Sequence, residues 1–509
     1  MNKGRMHNSK INLVVTAACQ LLTTFFSFIT RGLFVRVLST NYLGVSGLFT
    51  SILTILSLAE LGIGNAMVYS LYRPIHDNDS KKISFYMDIF KKAYRLIACG
   101  VTVLGISFMP FLHFFVISPE GVTESIYVIY LFFLANSVVS YLLAYKRSIL
   151  YADQKGYVIT TATTFTHILL LVLQYLVLLF TQNYLLYLSA QIIMTISTNV
   201  ILSIYVNKHY KIGKFDYREI DQKNEKTKIL QNLKSLSISK VAGVVISSAD
   251  NLITTKIVSI TAVGFASNYT LVTHAISHFV SNIINGLTGS IGNLNAEDDS
   301  SKREKIFYEL FTATYITYYI VCSSIFALIN PLVEWWLGEK YLFSLTIVAT
   351  IVLNIYVAGV NYPSYVFRTT SGHFKEATKF YVLSAVLNIV LSIALGYVWD
   401  IAGIYIATSI SRLLTSEISD GYYGVKYGAC SNPKTYFIKY YLYLIIMVIN
   451  CYANNLLISY ININGFVGLV IKGIVSVMFS SITCFLVVGY TKSFRDLIKR
   501  FFNIKHIKR

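Results

Sequence analysis

Most of the 509 residues lie in apolar stretches, and the few ionisable side chains inside those stretches are where chemistry is to be sought. Arg31 and Arg412 stand deep in such runs, and Glu60, Asp250 and Lys256 occupy others. A guanidinium carries a planar fork of donors that matches the oxygens of a carboxylate or phosphate. An arginine kept where charge is costly therefore calls for an anion or water to meet it. Glu60 and Asp250 can pair with these cations, bind a coupling proton or sodium ion, or satisfy a helix break near Gly62-Ile63-Gly64. His274 is a third group able to take a proton. Arg36, Lys256 and Lys472 fall near the outer ends of their runs, where a long side chain can reach lipid headgroups as an anchor.

Other chemistries find no support. His274 and His278 are four residues apart, but His274-Ala275-Ile276-Ser277-His278 lacks the acidic residue of an H-E-x-x-H pattern, so no metal site is expected. No Walker loop, dinucleotide fingerprint or nucleophile elbow occurs; the chain is not expected to be an enzyme, to hydrolyse ATP or to hold a cofactor. An ion gradient, the membrane potential or product removal is left as the energy source. Six cysteines are scattered without a C-x-x-C, which argues against a disulfide framework.

The elements that must carry these residues follow from composition. The chain is 55% hydrophobic and 13% charged, with a mean hydropathy of +0.59, far from a soluble domain. Uncharged runs long enough to cross a hydrocarbon core recur from end to end. They place helices at about 11–37, 43–70, 93–117, 126–146, 157–180, 184–206, 236–257, 263–292, 306–330, 341–367, 378–398, 401–425, 436–458 and 466–490. Polar stripes at three- and four-residue spacing run along several of them: Thr16, Gln20, Thr24, Ser27 and Arg31; Thr270, His274, Ser277, Ser281, Asn285 and Thr288; Thr408, Arg412, Thr415 and Ser419. Such a stripe lines a watery cavity or seals a packing seam. The 39 tyrosines include dense groups that suit interfacial belts or stacking on sugar rings.

The formal charge of +19 does not indicate nucleic acid, because Lys and Arg punctuate apolar runs instead of clustering on one surface. With both termini cytoplasmic, about 36 of the 43 basic residues fall on the inner side, which an even helix count alone achieves. Cysteines introduced at Gly121 or Asn183 should then react with an impermeant reagent applied to intact cells, and one at Asn224 should not. Labelling at Asn224 would overturn this topology.

An internal repeat is visible. Arg36 to Thr50 aligns without gaps on Lys256 to Thr270, with Leu43-Gly44 falling on Val263-Gly264; Tyr141 and Arg147 correspond to Tyr362 and Arg368. Helices 1–6 and 7–12 are thus expected to be parallel copies of one six-helix unit, with the substrate path between two lobes. The expected domains are an N-lobe at 1–206, a cytoplasmic linker at 207–235, a C-lobe at 236–425, and helices 13–14 with a basic cytoplasmic tail at 426–509.

Three segments bear a family resemblance: Leu58-Ala59-Glu60-Leu61-Gly62-Ile63-Gly64-Asn65-Ala66 with Tyr69-Ser70-Leu71-Tyr72-Arg73-Pro74; Tyr145-Lys146-Arg147-Ser148 with Ala152-Asp153-Gln154-Lys155-Gly156-Tyr157; and Ser248-Ala249-Asp250-Asn251-Leu252-Ile253. Together they resemble the Wzx-type polysaccharide and O-antigen flippases of the multidrug/oligosaccharidyl-lipid/polysaccharide (MOP) exporter superfamily. The resemblance implies an all-α integral membrane fold of about fourteen helices: two six-helix repeats in a V-shaped two-lobe arrangement plus two C-terminal helices. It implies residence in the bacterial inner membrane and transport of an undecaprenyl-diphosphate-linked glycan, for O-antigen, capsule or exopolysaccharide assembly, alongside polysaccharide polymerase machinery. Carried onto this chain, its cationic diphosphate site maps to Arg31, Arg147, Lys256 and Arg412. Ion coupling by H+ or Na+ would fall to Glu60, Asp250 or His274.

Three other functions compete. A cation-coupled drug antiporter of related fold more often carries acidic cavity residues and has twelve helices. A lipid II flippase of the same superfamily differs only in substrate. A non-transporting scaffold would make the polar stripes packing seams.

Overall fold

A chain that must bury its backbone in lipid satisfies each N–H and C=O within its own helix, and apart from turns the described chain is helical throughout. The computed structural model describes residues 2–60, 63–116, 120–213, 215, 241–285, 291, 294 and 299–506. Of the expected linker, residues 214 and 216–235 lie outside these, as do the side chains of Ser281 and Asn285 and all of Thr288.

The helices are α1 (Asn2–Val37), α2 (Thr40–Leu56), α3 (Ile63–His76), α4 (Ser80–Phe108), α5 (Leu112–Phe115), α6 (Ile126–Tyr141), α7 (Arg147–Ala152), α8 (Gly156–Phe180), α9 (Tyr184–His209), α10 (241–257), α11 (Ile260–Asn285), α12 (Ser300–Leu337), α13 (Leu345–Val360), α14 (Tyr362–Thr370), α15 (Lys375–Leu414), α16 (Ser416–Tyr423), α17 (Pro433–Ser459), α18 (Gly465–Val488) and α19 (Lys492–His506). Short polar residues start them as the sequence requires. Asp79 accepts from the Lys82 amide, Asn183 from Leu186 and Asp299 from Lys302, each at about 3 Å.

Among the described residues, ten helical stretches are long and apolar enough to span a bilayer. One, Lys375–Gly428, is interrupted at Trp399 and Asp400, whose backbones are non-helical, and so holds two segments. That stretch counted as two brings the spans among the described residues to eleven, and α2 with α3, α10 and α11 lie where three further helices are expected. Several expected helices prove to be broken. The run expected at 43–70 is divided by a 3-10 turn at Ser57–Glu60, and the run at 126–146 ends α6 at Tyr141 before resuming as α7. Leu143 sits between with φ 66°, a left-handed conformation that costs a β-carbon residue about 1–3 kcal/mol. At the repeat-equivalent place α13 stops at Val360 and α14 begins at Tyr362-Pro363.

The chain divides into two compact units, Met1–Gly264 and Phe265–Arg509, with α11 starting in the first and ending in the second. In unit 1, α1 lies along α8, α8 along α9 and α9 along α6. The two copies of the repeated segment also meet there. A β-carbon added to Gly44 would stand 2.1 Å from the Ile260 carbonyl oxygen, and one on Gly264 would stand 2.5 Å from that of Thr40. Thr261 Oγ1 donates to Asn41 Oδ1 at 2.6 Å beside this crossing, 220 residues separating the two. Small residues permit such backbone approach in membrane helices.

In unit 2, α12 is the central helix, against which α13, α17 and α18 pack. Where the last two helices join it, buried amides and hydroxyls interlock: Asn450 Nδ2 donates to Ser323 Oγ at 2.8 Å, Asn454 Nδ2 to Ser476 Oγ at 2.8 Å, and Thr483 Oγ1 to Asn450 Oδ1 at 2.8 Å. These are packing bonds; each member finds its partner on a neighbouring helix.

Candidate functional site

The break after α6 positions two adjacent cations. Lys146 closes a 3-10 turn and Arg147 opens α7, and both face α9. Lys146 is buried, and its Nζ donates to Ser203 Oγ at 2.7 Å and Asn207 Oδ1 at 2.8 Å. Arg147 Nη2 donates to Asn199 Oδ1 at 2.6 Å, and Asn199 Nδ2 donates to the Val139 carbonyl at 3.1 Å. Asn199, Ser203 and Asn207 recur every four residues and so share one face of α9. All three partners are neutral. Among the described residues no carboxylate forms an ion pair with either cation, and the buried Arg147 Nε has no hydrogen-bond partner. A buried donor left unmade costs about 1–3 kcal/mol.

Neighbouring elements fix this arrangement. Glu60 lies within electrostatic reach of Arg147 and accepts from Tyr94 Oη at 3.2 Å. On the loop after α7, Lys155 Nζ meets Asp153 Oδ2 at 2.8 Å, and Tyr210 at the end of α9 donates to the same oxygen at 2.5 Å. Burial, then donation to that carboxylate, pushes the Tyr210 phenol above its ordinary value. The cluster ties the α7–α8 loop to α9 and so holds the cationic pair in register.

Unit 2 holds the counterpart. Arg368, 221 residues after Arg147, donates through Nε to Asp420 Oδ1 at 2.6 Å and through Nη1 to the His373 carbonyl at 2.9 Å. Asp420 is itself 221 residues after Asn199. Its second oxygen accepts from Tyr381 Oη at 2.7 Å and Asn361 Nδ2 at 3.4 Å, and both side chains of the ion pair are 4% exposed. The correspondence continues through Phe367 for Lys146 and through Gly424 and Gly428 for Ser203 and Asn207. A β-carbon on Gly424 would strike the Ser364 carbonyl at 2.2 Å, and one on Gly428 that of Phe367 at 2.6 Å. Unit 1 is polar and cationic where unit 2 is close-packed and neutralised.

No protein-family model matches the chain, and no curated protein matches it in sequence. Solved structures do. The lipid II flippase MurJ, in an inward closed conformation, aligns with 95% of this chain and 100% of its own at 13% identity and a TM-score of 0.65. An outward-facing multidrug resistance MATE family transporter of the MOP superfamily aligns with 82% of this chain and 96% of its own, at 12% identity and a TM-score of 0.55. The Vibrio cholerae MATE transporter VcmN, in its bent form, covers 84% of this chain and 98% of its own, at 13% identity and a TM-score of 0.54. The fold is that of the MOP transporters.

Within this MOP fold the sequence-nominated residues separate. Arg31 is half-buried on α1 within electrostatic reach of Tyr187 and Tyr184 on α9, and Gln20 and Thr24 continue its stripe, also half-buried. Lys256, at the end of α10, is exposed; its Nζ donates to the Phe114 carbonyl at 2.9 Å and sits 3.8 Å from that ring's centre, an engagement at the end of α5 that suits an anchor. Asp250 is half-buried on α10 and His274 exposed on α11, while the side chain of His278 lies outside the described residues. Arg412 is half-buried in α15 within electrostatic reach of Glu417, a buried carboxylate. The rest of its stripe is a packing seam: Thr408, Thr415 and Ser419 are all buried, and Thr408 accepts from Asn388 at 2.8 Å. In unit 1 Arg147 lies within electrostatic reach of both Glu60 and Tyr94, which are hydrogen-bonded to each other; Lys256 has its own partner at Phe114.

Sequence reasoning passed over Lys146, Asn199, Ser203 and Asn207, and it omitted Glu417 and Asp420 from the intramembrane charges. The repeat contained the missing signal. Extending the 221-residue correspondence from Arg147 and Arg368 to the next facing helix leads to Asn199 and Asp420.

Proposed function

We propose that this chain is a flippase that moves undecaprenyl-diphosphate-linked oligosaccharide units across the bacterial cytoplasmic membrane for cell-surface polysaccharide assembly. The observation that carries the reading is the Lys146–Arg147 pair, two cations within a span whose hydrogen-bond partners among the described residues are all neutral. A charge held this way is costly without an anion to receive it, and a diphosphate supplies one in a form that a guanidinium fork fits. Arg31 adds a third cation on the same unit. The fourteen helices expected from the sequence also favour a lipid flippase over a twelve-helix drug antiporter, as does coverage of 95% of this chain by MurJ against 82% and 84% by the two MATE structures. Glu60, Asp250 and His274 remain the candidates for coupling to H+ or Na+, and both termini are assigned to the cytoplasm by the charge pattern.

The test is flipping of a diphosphate-linked glycan in proteoliposomes, normalised to folded protein. Arg147→Ala should lower it by about tenfold or more, with Lys restoring it in part. The Arg31→Ala, Arg412→Ala double variant tests the wider cationic site, and normal flipping by both preparations would refute the proposal. Because the MurJ structure shares the fold, lipid II is the rival substrate. Rescue of a strain lacking its lipid II flippase, without rescue of one lacking its polysaccharide flippase, would decide for it.

A further inference from the structure

We infer that the C-terminal helix α19 rests on the membrane surface and binds anionic phospholipid there, its basic face meeting the headgroups and its apolar face the acyl chains beneath them. The leaflet is the one on that side of the membrane, the cytoplasmic one by the charge pattern. The inference goes beyond the transport reading and does not depend on what is carried.

The sequence sorts this helix into two faces. Wound at roughly 100° per residue, Phe494, Leu497, Ile498, Phe501, Phe502 and Ile504 fall within one arc of about 160°, and Lys492, Arg495 and Lys499 fall together outside it. Lys505, near the helix end, is the charge inside the arc, where a long stem can carry its ammonium out to water. Residues 492–509 hold seven Lys and Arg against the one acid Asp496. Keeping a chain end on one side of a bilayer needs only the charges. It does not need them gathered on one face, whereas a helix lying on a lipid surface needs both faces.

The junction with α18 sets the height of the apolar face. α18 ends at Val488, and only Gly489, Tyr490 and Thr491 separate it from Lys492. Thr491 Oγ1 accepts from the Phe494 amide at 3.3 Å and so starts the new helix. The half-buried Phe494 ring meets that of Phe485 edge to face, with centroids 5.8 Å apart. Phe485 is an exposed side chain in the last turn of the apolar span, so Phe494 reaches back along the flank of α18 and not away from the bilayer. Tyr490, in the turn, is exposed, as suits an aromatic residue at headgroup level.

Contact with α12 fixes how the helix is turned about its axis. Asp496 Oδ2 meets Lys305 Nζ at 3.4 Å, and Ser493 and Leu497 on that flank are half-buried. The one acid of the helix is thus taken up by a neighbouring cation. Lys492, Arg495, Ile498 and Lys499 are left exposed. Three cations beside an apolar residue match a phosphate headgroup with its acyl chains, and each Lys or Arg near an anionic surface adds to the attraction. An acidic protein would match the cations alone, but the helix is joined to a span by so short a turn that the surface within reach of both faces is the bilayer's.

The experiment uses the full chain carrying Cys99→Ser and Cys430→Ser, which removes the two exposed thiols. An environment-sensitive fluorophore is attached at Ile498→Cys or at Lys499→Cys, and the background without an introduced cysteine supplies the baseline. Each preparation is placed in nanodiscs of phosphatidylcholine with brominated acyl chains, with or without phosphatidylglycerol. Quenching at Ile498→Cys should exceed that at Lys499→Cys by about twofold or more, and should be stronger by about twofold or more when phosphatidylglycerol is present. Adding Lys492→Gln and Arg495→Gln should remove the dependence on phosphatidylglycerol. If that variant does not fold, about 0.5 M salt on the labelled parent should weaken the dependence instead. Equal quenching at the two positions overturns the inference, as does quenching at Ile498→Cys that is the same in both membranes, which would mean an apolar anchor without headgroup recognition. Absence of quenching in either membrane, which would place this face against protein, overturns it too. So does a dependence on phosphatidylglycerol that survives both the glutamine substitutions and the added salt.

Discussion

Replacing Gly44 with valine should leave almost no folded protein in the membrane. The first atom of any side chain at that position would lie 2.1 Å from the Ile260 carbonyl oxygen, and the obstacle is backbone, which cannot rotate away. Relief requires α2 and the start of α11 to separate, which would break the contact made by Gly264 against Thr40 and the hydrogen bond from Thr261 to Asn41. Overpacking ordinarily costs about 1–3 kcal/mol, and a clash of two main chains belongs at or beyond the top of that range. Gly264→Val should behave alike, because its obstacle is the Thr40 carbonyl. Gly100, whose β-carbon would meet nothing within 4 Å, is the control, and Gly100→Ala should extract normally. Monodisperse protein recovered in detergent is the measurement; wild-type yield from Gly44→Val would show that the crossing is looser than described.

The second large effect is expected at Arg368. Arg368→Leu would leave the buried Asp420 carboxyl without its cation, with Tyr381 and Asn361 as its remaining hydrogen-bond partners among the described residues. Removing one member of a buried ion pair costs about 3–5 kcal/mol, most of it the penalty of the stranded charge. The single variant should therefore melt far lower or fail to accumulate, and Arg368→Leu combined with Asp420→Leu should recover much of the loss. A double variant no more stable than the single one would mean that Arg368 matters for its packing beside Tyr365 and Tyr381 and not for its charge. The contrast with Arg147→Ala is diagnostic, because no buried ion pair is broken there.

Much of the architecture was legible because the bilayer imposes a simple grammar. Uncharged length and the side on which Lys and Arg fall are enough to locate spans. Interruptions within spans were less legible. Nothing in the run around Leu143 marks a left-handed residue, since the cost of that conformation is met by contacts that only the fold supplies. Pro363 does mark the matching break in unit 2, but proline is tolerated in membrane helices and so could not be read alone. The site was half legible. Arg147 could be nominated from its neighbours in sequence, whereas its neutral partner Asn199 lies on a distant helix and belongs to a residue type common in packing seams. Glu417 and Asp420 were missed although both fall within the helix expected at 401–425, in the polar stretch Ser416-Glu417-Ile418-Ser419-Asp420.

The crossing of Gly44 and Gly264 has a consequence for how the two repeats can change. Each glycine meets the carbonyl at the start of the other's segment, Ile260 for Gly44 and Thr40 for Gly264, so within the first unit a repeated segment meets its own copy. In a dimer of identical half-chains every substitution appears twice, and a carboxylate that locks one arginine locks both. Covalent linkage removes that constraint. Once the copies are parts of one chain, one arginine can acquire Asp420 while the other keeps Asn199, and the self-matching seam at the glycines can stay as it is.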